Sequence, residues 1–147
     1  MDIKKTVEAE ESFLISLRRH FHENPELSQQ EWKTMDFIEE TLHGWGISTV
    51  RVPRGGIFGM IDSGKDGWTF LMRADIDALP IEENPKNLAC EKVCLSKNHG
   101  VSHACGHDGH MAMLLIAAKI LAAHKDEWEG KVLLMFEEAD EVGERGV

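Results

Sequence analysis

The stretch His103-Ala104-Cys105-Gly106-His107-Asp108-Gly109-His110 constrains this chain more than any other. Three histidines, one cysteine and one aspartate fall within it, a density of ligand-type side chains that packing does not explain. Imidazole is the commonest metal-binding side chain, and thiolate is its usual companion on zinc-like ions. The segment reads as one lip of a divalent-metal hydrolytic site. Such a site needs further groups from elsewhere in the chain.

The bulk properties exclude several alternatives. A chain of 147 residues is long enough for one domain with a real core. Its 16 Lys and Arg against 26 Asp and Glu leave a net charge of −10. Phosphate contacts need clustered cations, so this balance argues against nucleic acid as a partner. No apolar run approaches the roughly 18 residues of a membrane span, so no membrane partner is expected. The start, Met1-Asp2-Ile3-Lys4-Lys5, leads into acidic residues and shows no apolar leader. A cytoplasmic location follows as the expectation. The odd number of cysteines (Cys90, Cys94, Cys105) then predicts reduced thiols rather than disulfides.

Periodicity supplies the elements. Phe13, Leu14, Leu17 and Phe21 predict an amphipathic helix over residues 7–22, stopped at Asn24-Pro25. Arg18, Arg19, His20 and His22 crowd its end, where cations favour the helix dipole. Ser28 and Glu31 have capping-box spacing, and Leu27 and Trp32 have staple spacing, ahead of the stripe Met35, Ile38, Leu42 and Trp45. Strands are predicted over 47–52, 57–62 and 68–74, separated by glycine turns. The third is apolar on both faces, as a central strand of a covered sheet would be. Residues 82–102 form a long irregular connection to the ligand cluster. A helix over 108–124, with Asp108 as its cap, and a strand over 132–136 complete the pattern. The order predicts an α/β domain, a layered mixed sheet covered by helices.

Three ligand-rich segments occupy equivalent places in that fold. Asp75-Ile76-Asp77 follows the third strand, the Cys/His cluster precedes the last helix, and Asp140-Glu141 follows the last strand. Sites in α/β sheets assemble at the carboxyl ends of strands. Taken alone, Asp75 and Asp77 are as well explained by capping or solvation, and residues 137–141 by a solvated acidic turn. Their coincidence at strand ends raises both. Cys105 and His107, two apart around Gly106, can reach one ion or bridge two. Thiolate and imidazole suit zinc, and added carboxylates widen the choice to manganese or cobalt. A hydrolytic metal site also needs a carboxylate to take and return a proton, and Asp140 or Glu141 is placed to do so. A finger-like set of Cys90, Cys94, His99 and His103 leaves too short a Cys94-to-His99 gap for a turn and helix.

The chain holds, in order, Leu17-Arg18-Arg19-His20-Phe21-His22-Glu23-Asn24-Pro25-Glu26-Leu27-Ser28, then Arg73-Ala74-Asp75-Ile76-Asp77-Ala78-Leu79-Pro80, then the segment from His103 to His110. Over essentially its whole length it resembles the N-acyl-amino-acid amidohydrolase branch of the dinuclear metallopeptidases, which includes aminoacylases, hippurate hydrolase and auxin-conjugate hydrolases. The resemblance implies a zinc-exopeptidase-like catalytic domain interrupted by a smaller lid or dimerisation domain. It implies up to two divalent metals (Zn²⁺ or Mn²⁺, with Co²⁺ or Ni²⁺ as alternatives) and hydrolysis of the amide bond of N-acyl amino acids or related peptide-like conjugates. By the same resemblance Cys105 and His107 are metal ligands, Asp77 is the aspartate behind the metal with Asp75 beside it, Asp140 stands at the general-base position and Glu141 is a further ligand.

The chain departs from that family twice. The base position is glutamate in the family and aspartate here, one methylene shorter, and general-base geometry tolerates little error; Glu138 is the nearby alternative if the register differs. Family enzymes are also much longer and supply two further histidine ligands beyond the last residue here. Residues 1–147 are therefore expected to be a truncated, N-terminal part of the catalytic domain without its lid, with impaired hydrolysis. The alternative is a non-catalytic metal-binding or self-associating remnant, since an incomplete core leaves apolar sheet exposed and favours a homo-oligomer.

Overall fold

A four-stranded mixed sheet of order β1-β2-β4-β3 carries the molecule. The computed structural model describes residues 1–86 and 89–142. The elements are α1 (Ile3–Ala9), α2 (Glu11–Glu23), α3 (Trp32–Gly44), β1 (Thr49–Val52), β2 (Gly56–Asp62), β3 (Thr69–Asp75), α4 (His107–Ala123) and β4 (Lys131–Glu137). β1 and β2 form an antiparallel hairpin, β2 pairs antiparallel with β4, and β3 pairs parallel with β4. The parallel pair needs a crossover, and the connection through α4 supplies it. The α/β layered architecture expected from the sequence is the one observed.

The core forms where α2, α3 and α4 meet the sheet. Leu17 and Phe21 of α2, Ile38 and Leu42 of α3, Met111 and Leu115 of α4 and Ile57, Ile61, Leu134 and Phe136 of the sheet are buried together. Each fully buried side chain of this size contributes about 1.5–3 kcal/mol of transfer free energy. β4 is buried along most of its length because it lies between β2 and β3. Gly56 begins β2 at φ +87°, and a Cβ there would stand 1.9 Å from the Phe136 carbonyl oxygen. Only a residue without a side chain lets β2 and β4 approach there. Among the described residues, no helix is long and apolar enough to cross a membrane.

Four local expectations are corrected. The first helix is two, broken at Glu10, which closes α1 and precedes α2; Glu10 instead holds Lys119 of α4 at 2.6 Å. Ser28 and Glu31 form no capping box, because both side chains have partners elsewhere in the fold. Trp32 is no staple either, being 64% exposed. Finally, β3 is an edge strand: Trp68 before it is 82% exposed, Phe70 61% and Leu71 58%. Hydrophobicity on both faces marked a strand built to be covered, but the central place in this sheet belongs to β4.

Candidate metal centre

The parallel register aligns Asp75 with Glu137, so β3 and β4 end level. The chain beyond each end turns toward the start of α4. α4 begins at Gly106, which takes the left-handed conformation at φ +83°. Glycine adopts it without strain, and it places Cys105 and His107 on either side of a sharp bend. Asp108 is therefore not the cap. It lies in the first helical turn, where Oδ1 accepts the Gly109 N–H at 2.8 Å.

His107 is buried and pinned by its inner nitrogen. Nδ1 donates to the Asp77 carbonyl at 2.9 Å and to Asp77 Oδ1 at 3.2 Å. Nε2 faces the other way, 3.7 Å from Glu141 Oε1 and 3.9 Å from Asp75 Oδ2. Burial works against a charged His107, yet the Asp77 hydrogen bonds and the Asp75 charge overcome it and raise the imidazole to about 9. Burial likewise pushes Asp77 up, but bonds from His107, the Glu141 N–H (2.9 Å) and the Ser28 hydroxyl (2.7 Å) hold its carboxyl below the ordinary value. Asp77 thus ties together the start of α4, the segment before α3 and the turn after β4.

Two groups of ligand atoms lie within 4.8 Å of one another around His107. One is Cys105, His107 and Glu141; the other is Asp75, His107 and His110, whose ring stacks on that of His107 at 5.5 Å. A divalent cation fits this donor set. Thiol, imidazole and carboxylate are suitable ligands, and among the described residues Glu141 Oε1 is buried without a hydrogen-bond partner. The neighbouring Glu141 carboxylate raises the Cys105 thiol, as clustered anionic ligands do without a cation among them. The structure brings Cys105, His107, Glu141 and Asp77 together. Asp140 is held differently: its Oδ1 accepts from Arg73 Nη2 at 2.9 Å, and the same guanidinium pairs with Asp75 and Glu137.

Several participants have no local signature. Arg73 stands just before the Asp75–Asp77 motif and pairs with three carboxylates, a role visible only once β3 and β4 are paired. Glu31 is buried and accepts the Ala139 N–H at 2.8 Å, which fixes a turn whose Ala139 sits at φ +63°. Behind His107, Asp108 Oδ2 accepts from His22 Nδ1 at 2.7 Å and Arg18 Nε at 2.9 Å. Arg18 and His22 therefore secure the start of α4 rather than merely facing a helix dipole. His103 is buried with no partner for either ring nitrogen among the described residues, and burial lowers it to about 4. Cys94 donates to the Arg19 carbonyl and Glu23, and no group with Cys90, Cys94, His99 and His103 gathers around an ion position among the described residues.

A mixed sheet with imidazole, thiol and carboxylate groups at its strand ends is an architecture of metal-binding hydrolases. The chain belongs to peptidase family M20/M25/M40, whose profile matches residues 71–147. It is 42% identical over 143 residues to an N-acyl-L-amino acid amidohydrolase of Geobacillus stearothermophilus, covering 96% of this chain and 37% of that one. It is 41% identical over 132 residues to the IAA-amino acid hydrolase ILR1-like 5 of Arabidopsis thaliana, covering 89% and 29%. The fold matches the crystal structure of a dinuclear metal-binding peptidase of the M20 family from Bacillus subtilis with a TM-score of 0.81. That match has 39% identity and covers 92% of this chain and 37% of that one. The chain thus spans about a third of the length of these relatives.

Proposed function

We propose that this chain carries the first part of the catalytic site of a metal-dependent hydrolase acting on the amide bond of N-acyl amino acids or related small conjugates. The observation that carries the reading is the orientation of His107: Asp77 occupies Nδ1 and leaves Nε2 toward Cys105 and Glu141. Holding the inner nitrogen of a ligating histidine sets its tautomer and aims the outer one. Cys105, His107 and Glu141 would hold the ion, with zinc or manganese suited to the donor set. A bound divalent ion supplies Lewis acidity toward a carbonyl oxygen. Asp77 positions His107. Asp140 takes and returns the proton of the hydrolytic step at its carboxylate, and Arg73 sets where that carboxylate stands.

Residues 1–147 would then form the N-terminal part of the catalytic domain, a view supported by the uncovered β3 edge and by the length of the relatives. Titration calorimetry with Zn²⁺ or Mn²⁺ tests the site. The Cys105→Ala, His107→Ala double variant should take up no metal at the native stoichiometry; unchanged stoichiometry would refute the assignment. Assay of the metal-loaded chain on N-acetyl amino acids then tests the reaction. A second reading, a self-associating module without turnover, is favoured by the exposed Trp68, Phe70 and Leu71.

A further inference from the structure

The described residues contain three non-glycine positions in the left-handed region: Gln29 at φ +64°, Arg54 at +62° and Ala139 at +63°. They come from three separate segments, and all three line one cavity of about 420 Å³ between the start of α3, the β1–β2 turn and the end of β4. A left-handed non-glycine residue is strained, and such residues collect at ligand sites. The cavity has the size of a small-molecule pocket. Trp32 lies exposed on its wall, with Met35 and Pro53 adding apolar surface.

The charges at the cavity are specific. Arg51 is committed to Asp36 at 2.6 Å and Glu39 at 2.7 Å. Arg54, in the β1–β2 turn, and Glu138, just beyond β4, both line the cavity, and among the described residues neither side chain has an ion pair or hydrogen-bond partner. A free cation and a free anion beside an exposed indole match a molecule that carries both charges and an apolar group. We propose that this cavity binds a free amino acid with an apolar or aromatic side chain. Its carboxylate pairs with Arg54, its ammonium with Glu138, and its side chain rests on Trp32. The cavity's wall at Ala139 is the turn that Glu31 fixes and that leads to Asp140 and Glu141. An occupant therefore touches the segment that carries two residues of the proposed centre.

The test is titration of L-phenylalanine into the 147-residue chain in the presence of a chelator, followed by tryptophan emission and calorimetry. With the metal removed, the outcome is independent of the hydrolase reading. Saturable binding is expected. Trp32→Ala and Arg54→Met should each weaken it by about tenfold or more, the loss of one strong contact. Glu138→Gln should weaken L-phenylalanine but leave 3-phenylpropionate, which lacks the ammonium, unchanged. All three side chains lie at the surface or half-buried, and far-UV circular dichroism confirms that the variants are folded. Absence of saturation, affinity for L-phenylalanine unchanged from wild type in the three variants, or binding of 3-phenylpropionate as tight as that of L-phenylalanine would each overturn the proposal.

Discussion

Ser28 donates its hydroxyl to Asp77 Oδ2 at 2.7 Å, across 49 residues of chain. The bond leaves Asp77 Oδ1 for His107, so the segment before α3 helps set the direction of that imidazole. Groups behind a metal ligand change affinity by about 10–100-fold when removed. Ser28→Ala is expected to weaken Zn²⁺ binding by about tenfold, read by competition with a chromophoric chelator. Helix content should stay unchanged, because Ser28 does not cap α3. A loss of ellipticity with unchanged affinity would return Ser28 to a capping role.

Glu31 gives the molecule a stability that depends on pH. Burial pushes its carboxyl up to about 7, against the partial help of the Ala139 N–H. The unfolded chain ionises this group near 4.5, so the folded state binds the extra proton between those values. The contribution is fully present below about pH 4.5 and is lost as pH rises through 7. Glu31→Gln should remove this decline, on the order of 2–3 kcal/mol, from the metal-free chain. Urea unfolding at pH 5 and pH 8 measures it; an equal decline in both proteins would place the titration elsewhere.

The thiols differ in access. Cys90 and Cys105 are exposed, whereas Cys94 is buried and its thiol is pushed up by that burial and by Glu23. Reaction with an aromatic disulfide reagent should therefore reach Cys90 and Cys105 before Cys94, with Cys105 slower than Cys90 because Glu141 raises its thiol. Added Zn²⁺ should protect one of the exposed pair, and mass mapping should locate it at Cys105. Protection of Cys90 instead would contradict the metal assignment.

The open edge of β3 predicts association. Its outer edge, which no strand among the described residues pairs, and the exposed Phe70 and Leu71 offer a template for another strand. Leu71→Lys should shift light-scattering mass toward monomer and raise solubility, with no change in metal uptake. A wild-type chain that stays monomeric at high concentration would remove the self-associating reading.

Part of this was legible in the sequence. Local periodicity marked the strands and the long helix, and their ends pointed to three segments that could converge, while the choice of Asp77, Cys105, His107 and Glu141 within those segments came from the family resemblance. What the sequence hid was non-local. Ser28 and Glu31 have capping-box spacing, but their side chains are used by Asp77 and Ala139, which no local pattern encodes. The uniform hydrophobicity of β3 indicates a strand that favours cover, and says nothing of which neighbour provides it. Arg73 looked like an ordinary strand residue until pairing with β4 set three carboxylates around it. Asp108 had the composition of a cap, yet tertiary partners in α2 took its carboxylate.

The missing side chain at Gly56 has a consequence for how this protein tolerates change. A methyl group there collides with the carbonyl of Phe136, the residue from which β4 passes into the turn bearing Asp140 and Glu141. A survey of inactivating substitutions should therefore score Gly56 among the most intolerant positions, although it offers no atom to a metal, a proton or a substrate. Inheritance at that position is dictated by room and by a left-handed backbone.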